Sequence, residues 1–99
     1  MLRRFALAGV PEQVNIPILL ALERNLFQEH NVELDYHVVP EGTGLLLDKL
    51  ENNEIDCAIT VTDALIVGRA NGRKVKLAGT YVTSPLTWAL VGGFYITYF

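Results

Sequence analysis

The 99-residue sequence holds a single cysteine, so no disulfide can close within the chain. Cys57 sits in the apolar run 55–61, where a small side chain suits a core. Long apolar runs are equally missing, and no stretch approaches the roughly 20 residues that cross a bilayer. The basic pair Arg3-Arg4 leads only into residues 5–10 before Pro11 and Glu12 interrupt. A secretory leader needs an unbroken apolar segment and a small-residue cleavage site, so the expected location is the cytoplasm, where the chain is made. Basic residues are few: eight Lys and Arg against eleven Asp and Glu leave a net charge of −3. Apart from Arg3-Arg4 and the stretch 69–76 they are scattered. No basic stripe exists to neutralise phosphates, which argues against a nucleic-acid partner. What is present, 51% hydrophobic and 19% charged residues, suits one packed core in one domain.

Along the chain, short apolar stretches alternate with amphipathic ones. Residues 4–9 read as a buried strand that Val10-Pro11 ends. Asn15 is placed as the N-cap of a first helix with Pro17 in its first turn. Ile16, Leu19, Leu20, Leu26 and Phe27 recur there at helical spacing, opposite Glu23, Arg24 and Gln28. Asn25 and Asn31 tolerate left-handed backbone and mark where turns break off. Over 32–39 the pattern becomes alternation, with Leu34, Tyr36 and Val38 on one face and Glu33, Asp35 and His37 on the other, a half-exposed strand. Turn chemistry at 40–44 opens a second helix over 45–52, with Leu46, Leu47 and Leu50 on its inner face and Asn53 at its end. Residues 57–61 form a third, small-residue strand covered on both faces. Thr62 and Asp63 cap a third helix, 64–70, which closes at Asn71-Gly72. Strands are expected again at 75–82 and, after Ser84-Pro85, at 86–91.

This βαβαβαβ order predicts an α/β fold with an open, mainly parallel sheet, because parallel neighbours require crossover helices. In such sheets small ligands settle at the carboxyl ends of the strands. Four loops fall there, 10–15, 40–43, 60–63 and 81–84, and three of them open helices whose N-termini present unpaired N–H groups and a positive dipole end. That arrangement favours anions. Glu12, Glu41 and Asp63 lie in the same loops, however, and would answer those dipoles themselves. A neutral or cationic polar molecule with a flat ring fits better, stacked on Tyr81 or Trp88. The candidate ligand-binding residues are therefore Glu12, Asn15, Gly42, Thr43, Thr62, Asp63, Tyr81, Ser84 and Trp88. Each also has a plainer reading: Asn15, Thr62 and Asp63 as caps, Glu12 as a solvated carboxylate, Trp88 as a packing residue.

Catalytic patterns are sparse. His30 sits near a helix end, His37 on a charged strand face, and the break at Asn31 prevents His30 and Glu33 from aiming at one metal. Cys57 has no base or cation beside it in sequence, Ser84 is not in a nucleophile elbow, and Gly42-Thr43-Gly44 is too short for a phosphate loop. No catalytic residue, metal site or cofactor is expected.

Several runs resemble one family. Residues 18–34, ILLALERNLFQEHNVEL, are similar to the segment of periplasmic-binding-protein-like (type II) substrate-binding proteins in which an Ala-rich helix ends in "G-L-F", followed by a short acidic stretch and a strand. Gly42-Thr43-Gly44 and residues 50–59, LENNEIDCAI, resemble that family's second helix and its "G-E-I-D-x-A" entry to the third strand. Residues 81–88, YVTSPLTW, resemble the stretch after the fourth strand in relatives of sulfonate-, nitrate- and thiamin-precursor-binding proteins. The resemblance spans residues 2–91 and implies two lobes hinged around a small ligand, with 1–93 as the first lobe. Members continue into a second lobe, whereas residues 94–99 form an uncharged aromatic tail, so the expectation is a truncated lobe that binds weakly or a self-associating remnant, such as a homodimer. Transport members carry export signals. Fungal enzymes of thiamin-pyrimidine synthesis share the fold, but their cysteine cluster and active-site lysine have no evident match here, so their activity is not carried over.

Overall fold

Residues 3–9 are apolar beyond their two arginines, and such a stretch is most stable when it has strand neighbours on both sides. In the computed structural model, which describes residues 2–85 and 89–94, this strand β1 (Arg3–Gly9) is the middle of a three-stranded sheet. Strand β2 (Val32–Val38) pairs with it in parallel from Arg3↔Val32 through Gly9↔Val38. Strand β3 (Cys57–Ala58) pairs on the other side, also in parallel, through Leu7↔Cys57 and Ala8↔Ala58. The sheet order is β2-β1-β3. The α/β class and the parallel sheet read from the sequence are therefore present.

A 3-10 turn (Gln13–Asn15) leads into α1 (Ile16–Glu23), with Pro17 in the first turn, where a missing N–H does no harm. Asn25 takes a left-handed φ of 57° and separates α1 from the single-turn α2 (Leu26–Glu29). Asn31 and Asn53 are left-handed too, at 61° and 58°, as their side chains permit. Helix α3 (Thr43–Glu51) starts from Gly42, whose φ of 100° a residue with a Cβ rarely adopts, and α4 (Thr62–Ala70) ends at Asn71-Gly72.

The core lies where α3 crosses the sheet. Ala8, Val39, Leu46 and Ile55 form one buried cluster, and Leu47, Leu65 and Val75 a second, with Leu50 packed against both. The α3–α4 contact is close: a Cβ on Gly68 would stand 3.0 Å from Leu47 Cδ1. Arg73 fastens the same pair by bonding Asp48 and, at 3.0 Å, Glu51, while Arg69 donates to Val75 O at 2.7 Å. At the entry to β3, Asp56 makes two bonds to one residue: its amide donates to Ala6 O and its carboxylate accepts from Ala6 N, both at 2.8 Å.

Several expectations are corrected. Residues 75–82 form no strand, and the described part of 86–91 forms none either. A further parallel strand needs a neighbour with a free ladder, and β3 offers a paired length of only two residues. The third strand is accordingly shorter than 57–61, although Ile59 N still donates to Ala8 O at 2.9 Å. On α1 the buried residue is Ile18, while Ile16, Leu19 and Leu20 are 43–50% exposed. A helix that is apolar almost all round carries no periodic signal to choose its inner face. Val38 is exposed where alternation placed it inside, and Val39, one residue beyond the strand, is buried instead.

Candidate functional site

Parallel pairing on both sides of β1 brings three strand ends to one edge. The ladder runs just past the strands, with Val39 N donating to Gly9 O at 2.8 Å and Ile59 N to Ala8 O at 2.9 Å. Loops 10–15, 39–42 and 59–61 therefore leave the sheet along a common rim, where ligands gather in open α/β sheets.

Asn15 is the polar residue built most deeply into this rim, with 2% of its surface exposed. It stands at the N-cap position of α1, as its residue type suggests, but in the right-handed region and without a side-chain cap bond. Its Nδ2 instead donates to Val10 O at 2.8 Å, tying the loop back onto the end of β1. The loop folds tightly because Glu12 N donates to Val10 O and Asn15 N to Glu12 O. Gly9 makes room for this arrangement. A Cβ there would stand 3.1 Å from Asn15 Nδ2, 3.2 Å from the Tyr36 hydroxyl and 3.7 Å from Ile59 Cβ. From the far side of the chain, Tyr81 donates its hydroxyl hydrogen to Val14 O at 2.8 Å. Burial raises the Tyr36 pKa above the ordinary phenol value, the nearby Tyr81 adds to the shift, and the Asn15 amide opposes it. The Oδ1 of Asn15 is buried and has no hydrogen-bond partner among the described residues.

A second group lies between α3 and α4. Thr43, Gly44 and Asp63 line an open groove with Ala64, Asn71 and Arg73, enclosing about 630 Å³ of space continuous with solvent. Thr62 and Asp63 are not caps. The N-cap of α4 is Val61, without a side-chain bond, and the acid of Asp63 lies in the first turn, where it faces the positive end of the helix dipole.

The structure thus brings together Asn15 and Tyr81 in one place, and Thr43, next to Gly42, and Asp63 in another. Glu12, Thr62 and Ser84 are exposed and lie outside both groups among the described residues. Trp88, expected as a stacking surface, lies outside the described residues, as do residues 95–99 of the aromatic tail. Two contributors were not singled out from sequence. Tyr36 read only as an inward strand position, and Gly9 only as the last residue of a strand. The one sequence signal was a glycine closing a strand directly before a loop that carries a buried Asn.

A histidine pair with Asp35 occupies the opposite face of β2. Asp35 accepts from Arg4 at 3.0 Å and stands 2.9 Å from His37 Nε2, and the hydrogen bond from Arg4 is the first cause holding its carboxyl below the usual carboxylate range. Among the described residues no three His, Cys, Asp or Glu gather as metal ligands, and no helix is long and apolar enough to cross a membrane.

The family model described as NMT1/THI5 like matches residues 13–91. A solved structure, the conserved Candida albicans CA3427 gene product, is similar over 72% of this chain at 34% identity with a TM-score of 0.67. That protein is described as defining a new family that exhibits the generic periplasmic binding protein structural fold. The chain spans 23% of its length. No curated protein matches.

Proposed function

The chain belongs to the NMT1/THI5-like family, and from that premise we propose that it is a binding-protein-like domain for a small polar organic molecule, held at the carboxyl rim of the sheet without chemical conversion. The observation that carries this reading is the double parallel register of β1, which ends with Gly9 opposite Val38 and Ala8 opposite Ala58. Asn15 and Tyr81, with Tyr36 beside them, would form one contact, and Gly42, Thr43, Thr62 and Asp63 the flanking helix starts. Glu12 and Ser84 would join from the exposed loops. The acids on these loops favour a neutral or cationic ligand, of which a pyrimidine precursor is one example, over sulfonate or nitrate. A thermal-shift series with pyrimidines, methanesulfonate and nitrate tests the reading: a rise in melting temperature with any of them supports it, and no response to all of them removes it.

Self-association is a second reading, favoured by α1, whose Ile16, Leu19 and Leu20 stand 43–50% exposed. Light scattering across a concentration series should show dimers; a monomer throughout ends that reading.

A further inference from the structure

Buried amide oxygens are nearly always paired, and one left unpaired costs on the order of 1–3 kcal/mol. Among the described residues Asn15 Oδ1 is such an atom, on a residue only 2% exposed. Turning the side-chain amide over does not cure it. The exchange would put the oxygen against Val10 O, an acceptor, in place of the present 2.8 Å bond from Nδ2. The amide is therefore fixed in orientation by its own loop, with its acceptor end left over. It is also fixed in position, since Gly9 leaves no side chain beside it and Tyr36 and Tyr81 stand close by. A rigid acceptor next to two phenols, on the rim where helix α1 begins and with no donor supplied by the described residues, is suited to a donor carried by a ligand.

Resting on the binding reading above, we propose that Asn15 Oδ1 is the recognition acceptor of that site, and that the ligand is a flat, uncharged or cationic molecule presenting an N–H donor to it. An oxyanion is the wrong partner, because it would bring a second acceptor to an acceptor. Glu12, in the same loop as Asn15, adds negative charge that disfavours it further.

The test uses three probes of one shape on the intact chain, followed by ligand-observed NMR titration: benzamide, acetophenone with a methyl in place of the NH2, and benzoate. Benzamide should bind at least about tenfold more tightly than either of the others, the size expected when a buried polar group gains or loses its partner. Asn15→Leu should erase that preference. Equal binding of benzamide and acetophenone, as when a water already serves Oδ1, would overturn the proposal, and so would tighter binding of benzoate. If none of the three binds while nitrate or methanesulfonate raises the melting temperature, the acceptor proposal fails and the broader binding reading stands; if nothing binds, both fall.

Discussion

The two ends of this chain obey different rules. From Arg3 to Ala70, strands and helices follow one another with hardly a gap, and β1 is registered along its whole length against β2. From residue 71 onward no helix or strand appears among the described residues, and Leu77, Leu90, Val91 and Phe94 are 65–96% exposed. Both regions are comparably apolar, so hydrophobicity alone did not build the sheet. The difference lies in what stands beside each segment. β1 meets a neighbour on either side, whereas residues 75–82 pair with no strand among the described residues and are held by Val75 in the second cluster and by the Tyr81 hydroxyl on Val14 O.

This contrast can be broken most sharply in the core. Leu46→Ala, at a fully buried position of α3, should lower stability by about 2–5 kcal/mol in urea melts; a loss under about 1 kcal/mol would mean that the ordered region is no better packed than the rest. Gly9→Ala comes next. The added methyl meets Asn15 and Tyr36 at 3.1–3.2 Å, so a loss of about 1–3 kcal/mol is expected, accompanied by weaker probe binding. Leu77→Asp, at a residue 65% exposed, should stay within about 0.5 kcal/mol of the parent. A cost of several kcal/mol there would reveal a fourth strand in solution. The smallest effect belongs to the surface of the sheet. Asp35 has a depressed pKa, so its contribution is present above the ordinary carboxylate range and fades as pH falls through the folded value. Asp35→Asn should lower stability slightly at neutral pH, by a margin that shrinks to nothing as pH falls through the folded value, so that the acid limb of the profile flattens.

The same contrast explains what could be read in advance. The elements up to residue 70 carry local signals strong enough to place them: asparagines at positive φ, Gly42 before α3, the position of β2 and the leucines of α3 all appear where the sequence puts them. Two kinds of error remain. Val75 to Val82 has every property of a strand except a partner, and pairing is a tertiary matter that no window of residues encodes. Thr62 and Asp63 are cap residues by type, yet both fall inside the helix they should start, while Asn15 holds its cap position but spends its amide on Val10 O. For the candidate site, the rim was legible from the order of elements. The meeting of Gly9, Asn15, Tyr36 and Tyr81 was not, because these residues are joined by folding and not by spacing.

Asp56 has one more implication. It grips Ala6 by both backbone and side chain before β3 has begun, and a slip of one residue would turn Cys57 and Ala58 to the wrong faces. Alignment is thus keyed at the end of the strands remote from the rim. Past Ile59, which still bonds Ala8 O, the loop that follows β3 is released from that duty, and residues 60 and 61 are free to be rewritten for new guests without unsettling the frame that carries them.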